Sequence, residues 1–83
     1  MRYLTLNINP NTRIDIDNSI WGKETIKYND EIVSEKSSFW GAVHNFEKPE
    51  NGELAKYEVR IGLNMFKGVT FDIFRNNQAI LLN

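Results

Sequence analysis

The chain has no cysteine. That removes disulfides and thiolate metal sites as staples for the fold. A single histidine with scattered carboxylates is a poor basis for structural zinc. Stability must then come from packing and strand pairing. No long hydrophobic run is present either: the longest, such as "AILL" near the end, fall far short of a membrane span. The opening "MRYLTLNINPNTR" holds no extended apolar stretch after Arg2, so a signal peptide is not expected. Excess charge of one sign is also lacking. Ten basic and 11 acidic residues leave a formal charge of −1, with Lys and Arg scattered among Asp and Glu. Nucleic acid is a polyanion and calls for a basic stripe, so no nucleic-acid partner is expected. A membrane partner is not expected, and a soluble, cytoplasmic protein is the expectation.

Motifs that carry chemistry are scarce as well. There is no glycine-rich phosphate loop and no Gly-x-Ser-x-Gly turn. The carboxylates form no close pair in contrasting environments, so glycosidase chemistry has no foothold. "DIDN", Asp15 to Asn18, has oxygens enough to suggest calcium. It lacks the loop glycine and the distal bidentate glutamate, and on a strand Asp15 and Asp17 would line the wet face. His44 is the one candidate general acid or base. Strand alternation turns Glu47 away from it, and it is expected as a half-buried strand residue beside Phe46. Neither an enzyme nor a cofactor is expected.

Alternation is what the chain does have. In "RYLTLNI", Leu4, Leu6 and Ile8 share one face. In "TRIDID", Ile14 and Ile16 point one way and Arg13, Asp15 and Asp17 the other. "KYEVRIGL" sets Tyr57, Val59, Ile61 and Leu63 against Lys56, Glu58 and Arg60, and "VTFDIFR" groups Val69, Phe71 and Ile73. Period two with β-branched and aromatic residues predicts strands. Turn chemistry lies between them: "NPN" at Asn9 to Asn11, Asn29-Asp30, the longer polar "KPENGE", "NMFKG", and Asn76-Asn77. The fold expected is all-β, one domain over residues 1–83. Its form is a compact antiparallel β-sandwich or partly open barrel of seven or eight short strands. In a chain of 83 residues the core is thin, since a domain this small buries only somewhat over ~60% of its unfolded surface.

Two internal echoes stand out. "SIWGKETI" matches "SFWGAVHN" in its opening Ser, apolar, Trp, Gly. "IKYNDEIV" matches "IFRNNQAI" as strand, Asn-led turn and returning strand. The first echo bears on the aromatics Trp21, Phe39, Trp40 and Phe66, the candidate binding residues. Exposed aromatics anchor interfaces. A short chain also needs bulky plugs for its core, and the expectation for Trp21 and Trp40 is core, each with a glycine that admits a neighbouring backbone. Phe39 and Phe66 read equally well either way.

The segments "YNDEIVSEKSSFWGAVHNFE", "KYEVRIG" and "GVTFDIFRNNQAIL", between Tyr28 and Leu81, resemble a pattern in small uncharacterised bacterial proteins. More distantly, they are similar to the β-sandwich repeats of the Fas apoptosis inhibitory molecule family. The first resemblance implies no activity, and the second implies a non-enzymatic interaction domain. The leading expectation is a non-catalytic protein-interaction module, acting through an aromatic loop patch or an edge strand, the first or the last. Self-association through "AILLN" is one form of this. A small inhibitor or effector of a larger target is the alternative. Carbohydrate binding through Trp21 or Trp40, and a hydrolase centred on His44, rank below these.

Overall fold

The computed structural model describes residues 1–82. Its eight strands are β1 (Arg2–Asn9), β2 (Thr12–Asn18), β3 (Lys23–Tyr28), β4 (Glu31–Ser37), β5 (Gly41–Glu50), β6 (Glu53–Asn64), β7 (Gly68–Arg75) and β8 (Gln78–Leu81). They form two four-stranded antiparallel sheets, ordered β1-β2-β3-β4 and β5-β6-β7-β8. Each sheet is a meander with two outermost strands, so the fold is all-β and not a closed barrel. By its contacts the chain divides into two compact units, Met1–Phe39 and Trp40–Asn83, one sheet in each. β1 and β8 are outermost strands, as expected of the first and last. Of the "AILLN" segment, Asn83 lies outside the described residues.

In the first sheet, register converts the alternation into one apolar face. Leu6 lies opposite Ile14, which lies opposite Tyr28; Leu4 lies opposite Ile16, which lies opposite Ile26. Ile14, Ile16, Ile26 and Tyr28 are buried. Each large side chain withdrawn from water contributes about 1.5–3 kcal/mol. The other face carries Thr5, Asp15 and Lys27 in one row and Asp17 and Thr25 in the next.

Asp15 corrects the expectation of a wet residue: it lies on the predicted face, yet is 1% exposed. Two arginines fold over it. Arg2 Nη1 lies 2.9 Å from Oδ1, Arg13 Nε donates to Oδ2 at 2.9 Å, and Thr5 Oγ1 donates to Oδ1 at 2.7 Å. Burial by itself pushes this carboxyl up. The hydrogen bonds from Thr5 and Arg13 and the charges of Arg2 and Arg13 outweigh that and hold it below the usual aspartate range.

The second sheet repeats the scheme. Phe46 lies opposite Tyr57, His44 opposite Val59 and Ile73 beyond it, and Ala42 opposite Ile61. Phe46 and Tyr57 stack with centroids 4.9 Å apart. On the opposite face the Arg60 guanidinium lies 5.0 Å from the centre of the Phe74 ring. "KPENGE" is shorter as a turn than expected. β5 runs through Pro49 to Glu50, and the hairpin turns on Asn51-Gly52 alone. Pro49 is tolerated because β5 is an outermost strand.

Three hairpins use two-residue turns with both φ angles positive: Asn29-Asp30 (+47° and +70°), Asn51-Gly52 (+51° and +80°) and Asn76-Asn77 (+51° and +65°). This is the primed turn geometry that matches strand twist. The echo of "IKYNDEIV" in "IFRNNQAI" has a structural basis. Asn29 donates its N–H to the Arg13 carbonyl at 2.9 Å and accepts the Arg13 N–H on Oδ1 at 2.8 Å. Asn76 does the same with Lys56, at 2.7 and 2.9 Å. In each sheet the asparagine that begins the last turn extends the pairing of the two strands before it.

Candidate functional site

The four aromatics singled out in the sequence are all exposed. Trp21 is 78% exposed, Phe39 74%, Trp40 80% and Phe66 97%. Expecting Trp21 and Trp40 in the core was wrong, and the reason is local. Neither belongs to an alternating run, and the faces that could have buried them are filled by Ile, Val, Tyr, Phe and His from the strands.

In the first unit the β2–β3 connection is Ser19-Ile20-Trp21-Gly22. Ser19 Oγ accepts the N–H groups of Trp21 and Lys23, each at 3.2 Å. Gly22 takes φ +79° and donates to the Ser19 carbonyl at 3.1 Å. The tip therefore projects Ile20 (88% exposed) and Trp21 from an internally hydrogen-bonded turn. Phe39 lies alongside: a Cβ on Gly22 would meet its ring at 3.0 Å, and Ser38 donates its N–H to the Gly22 carbonyl at 2.8 Å. Ile20, Trp21 and Phe39 are thus exposed apolar side chains at the same end of the sheet, with Phe39 beside Gly22 of the turn. The border there is polar, with Lys23 Nζ 2.6 Å from Glu35 Oε2.

In the second unit Trp40 precedes Gly41, which opens β5 at φ +107°. A Cβ on Gly41 would collide with the Ile61 carbonyl oxygen, so the expected close backbone approach is present, but toward β6 and not toward the indole. Phe66 sits in the β6–β7 turn, Met65-Phe66-Lys67, with Met65 97% exposed beside it. Asn64 Oδ1 accepts the Phe66 N–H at 2.8 Å and the Lys67 N–H at 3.0 Å. Leu63 and Val69, paired across β6 and β7, extend the apolar surface at that end.

Ile20 and Met65 are exposed apolar neighbours of these aromatics that the sequence reading missed. The signal was available: an apolar residue beside an aromatic, between a Ser or Asn cap and a positive-φ glycine, reads as a turn tip.

His44 is fully buried rather than half-buried, on the apolar face of β5 with Phe46. Its side chain is closed to solvent, and Glu47 lies on the exposed face, as the alternation implies. Asp17 is held by Arg2 and, at 3.8 Å, by Lys27, so the carboxylates of Asp15 and Asp17 are engaged by the protein's own cations. Among the described residues no group of three or more His, Cys, Asp or Glu is placed to hold a metal ion. A shallow open hollow on the first sheet is lined by Asp17, Asn18, Lys23, Thr25 and Lys27, and its charges are ion-paired as above.

The chain matches no family model, no curated protein and no solved structure. Every role considered for a residue therefore rests on its own geometry.

Proposed function

We propose that this chain is a non-catalytic protein-interaction module that meets its partner through exposed aromatic side chains. The observation that carries this reading is that Ile20, Trp21 and Phe39, bulky apolar groups, are all left in water at one end of a sheet. Exposing them is unfavourable. Scattered apolar residues on a surface need no explanation, but three bulky ones at one end of a sheet do. An apolar centre bordered by a mixed-charge pair is the usual anatomy of a protein contact. The turn is hydrogen-bonded internally, so little entropy is lost when a partner orders it.

The test has two stages. The immobilised chain is passed through extract of the organism that encodes it, and a retained protein is identified and purified. Its affinity is then measured for the parent chain, for Trp21→Ala, and for Glu53→Ala as an exposed control. A central aromatic contact is worth about 2 kcal/mol or more. Trp21→Ala is thus expected to weaken binding at least about thirtyfold, with Glu53→Ala unchanged. Equal affinities for all three, or no retained protein, would contradict the proposal.

A further inference from the structure

The β2–β3 turn and the β6–β7 turn are one device built from different residues. Each joins the second and third strands of a four-stranded meander. Each opens on a polar side chain whose oxygen accepts the backbone N–H two residues on, Ser19 from Trp21 at 3.2 Å and Asn64 from Phe66 at 2.8 Å. An apolar residue and an aromatic then follow, Ile20-Trp21 in one and Met65-Phe66 in the other. Each closes with a glycine of positive φ, Gly22 at +79° and Gly68 at +78°. A lysine adjoins the glycine in both, Lys23 after Gly22 and Lys67 before Gly68. The correspondence reaches further, because the next turn in each sheet repeats the asparagine bridge of Asn29 and Asn76.

The "SxWG" echo pairs the wrong segments. Ser38-Phe39-Trp40-Gly41 leads into the first strand of its sheet and has no counterpart in position to Ser19-Ile20-Trp21-Gly22. The counterpart is Asn64-Met65-Phe66-Lys67-Gly68. Neither the cap nor the aromatic is the same residue type, and the lysine and glycine are transposed. A comparison of letters passes over the pair; hydrogen bonds and φ angles find it.

We infer that the chain carries two equivalent protein-contact sites, one on each sheet. Each is built on the apolar pair at the tip of the turn between the second and third strands. This rests on the interaction reading above and extends it to a second position and a stated partner surface. Both apolar pairs are almost wholly in water, and both are held by a side-chain cap, so both are pre-shaped to insert. Lys67 is the only charged residue from Ile61 to Phe71, so that tip presents a lone positive charge; at the other tip Lys23 is the nearest charge and is paired with Glu35 at 2.6 Å. The surface that fits both is an apolar pocket, wide enough for an aromatic ring; a carboxylate at its rim would meet Lys67 directly and would compete with Glu35 for Lys23. The partner is a protein that offers this pocket.

Titration calorimetry with the protein identified through the Trp21 experiment tests this. The parent chain is expected to bind two pockets. Trp21→Ala and Phe66→Ala should each leave one, and the double variant should leave none. Lys67→Glu should weaken the site that survives Trp21→Ala at least about tenfold, while circular dichroism reports an unchanged fold. A single site in the parent chain, or a Phe66→Ala variant that binds as the parent does, overturns the inference. If Trp21→Ala still abolishes that single site, the interaction reading stands and only the equivalence falls. Loss of both sites in Phe66→Ala, with an intact fold by circular dichroism, also overturns it, since the two turns would then form one site.

Discussion

Gly41 faces the carbonyl oxygen of Ile61 so closely that no side chain fits between them. Its φ of +107° is closed to L-residues on separate grounds. Gly52 provides the comparison, because its φ is +80° but nothing lies within 4 Å of where a Cβ would be. Gly52→Ala is expected to lose about 1–2 kcal/mol from backbone strain alone. Gly41→Ala should lose more, because the β5–β6 pairing must also open. Urea midpoints of the two variants, ranked against the parent, check the order.

Asn77 takes φ +65° in a position where glycine is unstrained. Asn77→Gly should therefore stabilise the β7–β8 hairpin by up to about 1 kcal/mol. Asn76→Gly should not give the same gain, since it discards the Oδ1 bond to the Lys56 N–H. The difference between their melting temperatures reads this directly.

Asp15 links stability to acid. Its folded pKa lies below the ordinary value because hydrogen bonds and positive charge outweigh the opposing effect of burial. A carboxyl shifted in this direction stabilises the fold fully above its unfolded pKa, near about 3.9. The contribution is lost as pH falls from there through the folded value. Asp15→Asn should be less stable than the parent at neutral pH, and the gap should narrow as pH drops below about 4. A gap independent of pH would show that the loss lies in shape and not in charge.

Glu50 ties the β5–β6 hairpin to β7. One carboxylate oxygen accepts Arg75 Nε at 3.0 Å and Nη2 at 2.6 Å, and the other accepts the buried Tyr57 hydroxyl at 2.5 Å. The hydrogen bond to Glu50 foremost, then an interaction with Tyr57 and the Glu50 charge, raise the Arg75 pKa above its ordinary value. Tyr57→Phe should lose about 1.5–3 kcal/mol, the range for a hydrogen bond to a charged group. Equilibrium unfolding of this variant measures it.

The strands were legible because alternation is a property of neighbouring residues. Ile14 and Ile16, or Tyr57, Val59 and Ile61, show their shared face without any partner strand. The asparagine turns were legible for the same reason, since Asn29 and Asn76 supply positive φ where they stand. What lay hidden depends on residues far along the chain. Asp15 is buried by Arg2, 13 positions away, and by Thr5 on the neighbouring strand. Trp21 and Trp40 looked like core because bulk is scarce in a small chain, but strand residues had already filled both apolar faces. The matching turns at Ser19 and Asn64 share geometry and not letters.

The central claim is that the exposed aromatics serve contact and not folding. The most direct test is the urea unfolding free energy of Trp21→Ala and Trp40→Ala. Surface truncation is expected to leave each within about 0.5 kcal/mol of the parent. A loss of about 3–5 kcal/mol in either variant, the magnitude for emptying a core position, would place that tryptophan in the core and contradict the account.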